Sequence, residues 1–268
     1  MTLRIATRGT ALARWQAERV ATLLATDTEL VIVTTTGDAR PDTPISAMGG
    51  TGVFVKEVEQ ALLDRRADLA VHSAKDLPSS PPPDGLLLAA FPERADVRDA
   101  LVGSSLAALR PNATIGSGSV RRRAQLAAIH PALQFAELRG SIVTRLEKAS
   151  QFDAIVVAAA ALERLGMLDQ ATEILDPSVM LPQVGQGALA VECRADDDAT
   201  LELVSAINDP GVARAVTAER AFLDGLSGGC DLPCGALATA DGDHLVLQGV
   251  LASLDGATVL RGTERGTE

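Results

Sequence analysis

Tyrosine is absent from the 268-residue chain, which has only one tryptophan and five phenylalanines. So few aromatic rings argue against a nucleic-acid surface built on base stacking. A formal net charge of −11 argues the same way, because a phosphate backbone would be repelled over most of the surface. Net charge does not forbid a locally basic cleft, however. No apolar run is long enough to span a bilayer. Met1-Thr2-Leu3-Arg4-Ile5 runs straight into strand-like sequence, with no charged and then apolar leader, so a cytoplasmic location is expected. The cysteines are Cys193, Cys230 and Cys234, an odd count that makes a poor disulfide framework. His72, His130 and His244 are scattered and fall into no ligand pattern, so no metal site is expected.

What is present is an Ala-, Leu- and Val-rich chain, 47% apolar and 22% charged, ample for two or three domains. Short apolar runs alternate with amphipathic stretches. Strands are expected at Leu3–Thr7, Glu29–Thr35, Asp68–His72 and Leu86–Phe91, with helices at Ala11–Leu24 and Val53–Arg65. An irregular stretch at Pro92–Asp99 precedes a second series. Strands at Thr114–Ile115, Leu133–Leu138 and Ala154–Val157 there alternate with helices at Val120–Ile129, Ile142–Lys148 and Ala159–Leu165. Such alternation predicts βαβ crossovers and parallel sheets covered on both faces, an α/β fold. Residues 189–207 could return to the first lobe. A helix over Val212–Leu226 then leads to a hairpin, Ala236–Ala240 and Leu245–Leu251, turning at Asp241-Gly242-Asp243. The expected division is 1–91 with 188–207, then 97–183, then a small third domain at 211–268 that stops at Glu268 without a closing helix.

Four strings could carry chemistry. His72-Ser73-Ala74-Lys75-Asp76-Leu77-Pro78 follows a strand, and ligands of open α/β sheets bind at strand carboxyl ends. Asp76 could stabilise a developing cation or move a proton; it could equally be half of a surface pair with Lys75. Gly116-Ser117-Gly118-Ser119-Val120-Arg121-Arg122-Arg123 opens a helix with free N–H groups, hydroxyls and guanidinium forks, all suited to an anion. It has no P-loop Lys-Ser/Thr pair, and three consecutive arginines cannot share one helical face, so at least one should be merely solvated. Arg8, Arg139, Arg145 and Arg164 also follow or flank strands, and their convergence would clamp several carboxylates. Gly228-Gly229-Cys230-Asp231-Leu232-Pro233-Cys234-Gly235 has the wrong spacing for zinc; Cys230 is there either a buried small thiol or a reactive one in an open loop.

In order along the chain, these strings resemble the porphobilinogen deaminase family, also called the hydroxymethylbilane synthases. The likeness extends from Ile5-Ala6-Thr7-Arg8 to about Gly262. It takes in Asp42-Thr43-Pro44, the glycine-rich run Gly49–Glu57, the His72–Pro78 string and Ser119-Val120-Arg121-Arg122. It continues through Leu138-Arg139-Gly140, Leu181-Pro182-Gln183-Val184-Gly185-Gln186-Gly187, Thr217-Ala218-Glu219-Arg220 and Gly228-Gly229-Cys230. Each string alone is weak; the ordered set is specific.

The resemblance implies a transferase of tetrapyrrole biosynthesis. It would condense four porphobilinogens head to tail into hydroxymethylbilane, releasing ammonia each time, on a dipyrromethane primer held by a thioether to Cys230. It implies two periplasmic-binding-protein-like lobes around a cleft plus a small third domain, and a monomer with no nucleic-acid or membrane partner. Asp76 is the implied catalytic residue. Lys75, Ser119, Arg121, Arg122 and Arg145 are implied to hold the cofactor, and Arg8, Thr10, Arg139, Arg145, Arg164 and Gln186 the substrate. Two positions depart from the family's usual pattern: Thr51 stands where lysine is common, and Gly118 where serine is common. The rival classes are a two-lobed solute-binding protein, which has no use for the Cys230 loop, and a cysteine-dependent enzyme acting on phosphorylated substrates.

Overall fold

The computed structural model describes residues 2–39, 52–226 and 232–267. Its contacts divide the chain into two compact units, residues 1–95 with 188–217 and residues 96–187 with 218–268.

The first unit is a five-stranded sheet in the order β2-β1-β3-β10-β4. Its strands are β1 (Leu3–Arg8), β2 (Thr28–Val33), β3 (Leu69–Ser73), β4 (Leu86–Ala90) and β10 (Leu189–Arg194). Alternation along the strands loads both faces. Leu3, Ile5, Leu69, Val71, Leu189 and Val191 cluster with Ala17, Val20 and Leu24 of helix α1 (Ala11–Leu24) and Val204 of α7 (Asp198–Ser205). Ala6, Val33 and Ala70 cluster instead with Val58, Ala61 and Leu62 of α3 (Lys56–Leu63). Each fully buried leucine contributes about 1.5–3 kcal/mol of apolar burial, so these two layers hold the sheet. Helix α1 starts where the Thr10 hydroxyl accepts from Ala13 N and ends where Ala25 turns left-handed at φ 50°. Helix α3 is shorter than the expected 53–65. The chain first makes a tight turn, with Val55 N donating to Gly52 O, and Arg65 at φ 57° ends the run. A four-residue helix, α2 (Thr36–Ala39), follows β2.

The second unit repeats this plan. Its order is β7-β6-β8-β5-β9, from β5 (Asp99–Val102), β6 (Thr114–Gly116), β7 (Gln134–Ala136), β8 (Ala154–Ala158) and β9 (Glu173–Ile174). Helix α4 (Val120–Ile129) covers one face through Leu126, against Leu101, Ile115 and Val156. Helices α5 (Ile142–Glu147) and α6 (Ala159–Arg164) cover the other, against Val102, Ile155 and Val157. Strand β7 is half the expected length because its partner β6 has only three residues before Ser117 turns into the α4 cap. Both sheets thus carry helices on both faces.

The expected parallel pairing joins β1 to β2 and β3, and β6 to β7 and β8, but one strand of each sheet runs the other way. β10 runs antiparallel to β3 and β4, and β5 antiparallel to β8 and β9. β10 begins beside the end of β3 (Leu189 opposite Ser73), and β5 begins beside the end of β8 (Asp99 opposite Ala158). Each enters its sheet at the carboxyl ends rather than after a crossover helix, which reverses its direction.

Helix α8 (Pro210–Gly225) leads to an antiparallel sheet of β11 (Cys234–Asp241), β12 (His244–Ala252) and β13 (Val259–Gly266). The hairpin turns at Gly242-Asp243, with Gly242 at φ 62°. Strand β13 was not anticipated: Arg261-Gly262-Thr263-Glu264-Arg265 has no apolar face to announce it, and the strand is exposed along most of its length. Gly256 lies so close to α4 that a Cβ there would be 2.4 Å from Ala124 O, which seats this sheet on that helix.

Candidate functional site

In the first unit the candidate groups gather at the carboxyl ends of β1 and β3. Ala74 and Leu77, both buried, anchor the turn after β3 in a cluster with Phe91, Ala188 and Val216. Ala74 N donates to Ala188 O, and residues 74–76 form a single 3₁₀ turn. Because the two flanking apolar residues point inward, Lys75 and Asp76 are left half-buried. Asp76 lines a pocket with Arg8, Thr10, Gln16, Phe54 and Ser73. Gln16 Nε2 donates to Ser73 Oγ at 2.8 Å, tying α1 to the β3 end. Arg8, the last residue of β1, reaches the Asp38 carboxylate through Nε (3.0 Å) and Nη2 (2.5 Å). Burial works to raise the Asp38 pKa, but the Arg8 hydrogen bond and charge outweigh it and hold the group below its ordinary value.

His72 also lines this pocket, and its Nε2 lies 3.2 Å from Glu192 Oε2, both deeply buried. Burial, and then the charge of Glu192, raise the pKa of neighbouring Glu59 against the opposing pull of His72.

In the second unit the centre is Asp99, which is 0% exposed. Its Oδ1 accepts from Arg122 Nε (3.0 Å), Arg122 Nη2 (2.7 Å) and Gln186 Nε2 (3.0 Å). Arg121 Nη2 forms an ion pair with Oδ2 at 2.8 Å. Burial alone would push the Asp99 carboxyl up; the two guanidinium groups overwhelm it and hold Asp99 far below the usual carboxylate range. The same burial lowers the Arg121 pKa, with Asp99 opposing. Arg122 Nη1 donates to Val156 O and Arg121 Nη1 to Leu181 O, so both arginines also staple strands and loop together. Two buried cations against one carboxylate leave a net positive charge, and Arg121 Nε is buried without a hydrogen-bond partner. That donor set suits an additional carboxylate.

Ser119 caps α4 by accepting from Arg122 N. Arg123, the third of the consecutive arginines, pairs with Glu137 (2.7 Å) and donates to Ser117 O. Glu137 also takes Arg139 Nε at 2.7 Å. A Cβ at Gly118 would lie 2.9 Å from Glu137 Oε1, so glycine there accommodates this shared carboxylate. Arg145 Nε donates to Gly140 O, and Arg164 Nη2 to Gly187 O. Thus Arg121, Arg122 and Gln186 meet directly on one acid, Arg139 meets Arg123 through another, and Arg145 and Arg164 engage backbone carbonyls separately. Cys230 and Thr51 lie outside the described residues.

The acids Asp38 and Asp99 escaped the sequence reading as site residues, and Glu219 entered it only within the Thr217–Arg220 string. Asp99 carried a signal, an acid opening an otherwise apolar strand. Glu219, also 0% exposed, accepts from Gly185 N and Ala238 N and so holds the loop that carries Gln186.

Fold and site together define an α/β protein of two helix-covered sheets whose strand ends gather arginines around buried and half-buried acids. Comparison with known proteins carries this further. The family model described as porphobilinogen deaminase, dipyromethane cofactor binding domain, matches residues 3–202, and that of the porphobilinogen deaminase C-terminal domain matches residues 213–268. The porphobilinogen deaminase of Roseiflexus castenholzii is 51% identical over 240 residues, covering 88% of this chain and 78% of that protein. That of Syntrophotalea carbinolica is 48% identical over 271 residues, covering 97% and 86%. A solved Bordetella pertussis BvgS VFT2 domain is similar at a TM-score of 0.45 and 16% identity, covering 82% of this chain and 92% of that one. The chain belongs to the porphobilinogen deaminase family.

Proposed function

We propose that this chain condenses four porphobilinogens head to tail into hydroxymethylbilane, releasing ammonia at each step. The observation that carries the reading is the match to both family domains, which together span almost the whole chain. The pocket that Asp76 shares with Arg8 at the β3 end supports it. A dipyrromethane tethered to Cys230 would supply the free pyrrole carbon at which the product chain grows.

In this reading the protein's own groups divide the work. As the aminomethyl C–N bond of the incoming porphobilinogen breaks, positive charge develops on its pyrrole nitrogen. The Asp76 carboxyl group, on a turn anchored by the buried Ala74 and Leu77, is held where that charge develops and needs no reorganisation to stabilise it. Arg8, with Thr10 beside it, offers a donor fork to a substrate carboxylate, and Arg139, Arg145, Arg164 and Gln186 extend such recognition in the second unit. Arg121, Arg122, Ser119, Lys75 and Arg145 would hold the cofactor's acid side chains. No helix among the described residues is long and apolar enough to cross a membrane. Action as a monomer in the cytoplasm belongs to the same proposal.

Intact mass of the denatured protein tests it. The wild type should exceed its chain mass by two pyrrole units, and Cys230→Ser should lose that excess. A folded, active wild type at bare chain mass would refute the primer.

A further inference from the structure

We propose that Asp38 and Phe54 form a brace that presents Arg8 to a substrate carboxylate, which makes Asp38 a positioning residue; the proposal rests on the functional reading above. A guanidinium has two edges able to grip a carboxylate bidentately, the side edge through Nε and one Nη, and the end edge through both Nη atoms. Asp38 occupies the side edge of Arg8 at 3.0 and 2.5 Å. The Arg8 guanidinium carbon lies 4.1 Å from the Phe54 ring centroid, so the ring fixes the guanidinium plane. Edge and plane together leave one orientation, with the end edge free of Asp38 in a residue that lines the Asp76 pocket.

Asp38 is built as a fixed strut. Its Oδ2 accepts from the Thr35 hydroxyl at 2.8 Å, and its own N donates back to that hydroxyl at 3.3 Å. Thr35 is itself buried, at 1% exposure. Phe54 is wedged in turn: a Cβ at Gly37 would fall 2.1 Å from its ring, so only glycine lets α2 approach this closely. The lowered pKa of Asp38 keeps the strut charged at neutral pH. A long arginine side chain otherwise surrenders much rotamer freedom on binding, and holding it in place beforehand removes that cost from substrate recognition.

Steady-state kinetics on porphobilinogen with Asp38→Asn, Phe54→Leu and Phe54→Tyr test the proposal. Asp38→Asn and Phe54→Leu should each raise KM about tenfold with kcat within about twofold, the signature of lost binding common to ground and transition states. Phe54→Tyr keeps the ring over the Arg8 guanidinium and should raise KM by clearly less than Phe54→Leu does. An unchanged or lowered KM in Asp38→Asn would overturn the brace, the latter by showing that Asp38 competes with substrate for Arg8. A fall in kcat at constant KM would overturn it too. Should Asp38→Asn fail to fold, the Phe54→Leu and Phe54→Tyr pair decides on the same criterion. A wild type that does not consume porphobilinogen sinks the functional reading and leaves the brace open to a separate measurement. The Arg8 Nε–H signal, assigned through Arg8→Lys, should exchange slowly with water in the wild type and at least tenfold faster in Asp38→Asn; equal rates would refute the brace.

Discussion

Replacing Asp99 by asparagine keeps the shape of the side chain and removes its charge. Asp99 is 0% exposed and faces Arg121 and Arg122, themselves 3% and 6% exposed, so the variant leaves two buried guanidinium groups with no anion between them. Breaking a buried ion pair by removing one partner costs about 3–5 kcal/mol, because the remaining charge has lost both water and its counterion. Asparagine retains the Oδ1 acceptor for both Arg122 bonds and for Gln186, which places the expected loss towards the lower end of that range. With an unfolding entropy of about 2 cal/mol/K per residue, the melting temperature should drop by roughly 5–7 °C at pH 7. Thermal unfolding followed by circular dichroism measures this, and pH dependence isolates its cause. The folded-state pKa of Asp99 lies below its unfolded value, so its contribution is fully present above about pH 4. Below that, the unfolded chain binds a proton that the folded protein refuses, and wild-type stability falls. Asparagine carries no such proton, so the gap between wild type and variant should narrow steadily as pH drops below 4. A variant as stable as wild type at pH 7, or a gap constant from pH 7 to pH 2.5, would refute the reasoning.

Asp76→Ala should fold normally, since the side chain is half-exposed, yet lose at least about a hundredfold in turnover because a preorganised charge has been removed. Near-wild-type rates would move the catalytic role elsewhere. Arg139→Leu and Arg145→Leu should stall elongation, so that enzyme species carrying short oligopyrroles accumulate in intact-mass spectra. Product release at the wild-type rate would assign both arginines a structural part only, through Glu137 and Gly140.

Much of the architecture could be read along the chain because strand and helix periods differ. The buried face of α1 (Ala13, Ala17, Val20, Leu24) is visible as a helical stripe, and its start at Thr10 is visible as a cap. The turn at Asp241-Gly242-Asp243 announced its hairpin in the same way. Strand direction was not legible, because alternation is identical for parallel and antiparallel neighbours; β10 and β5 are antiparallel only because of the sheet end at which each enters. β13 was missed because its partner strand, rather than apolar side chains of its own, holds it.

The candidate site divides along a similar line. Arginines at strand ends, the acid after β3 and the order of the motifs are local properties, so residue types and spacings alone nominated Asp76, Arg8, Arg121 and Arg122 and identified the family resemblance. What each arginine touches depends on residues far away in sequence. Asp99 lies more than twenty residues before its two arginines, Gln186 is 87 residues beyond Asp99, and Asp38 is 30 residues from Arg8. Only folding brings these groups within 3 Å and removes the water that would otherwise screen them. An open-looking arginine cluster thereby becomes a buried ion-pair centre in one unit and a braced donor in the other.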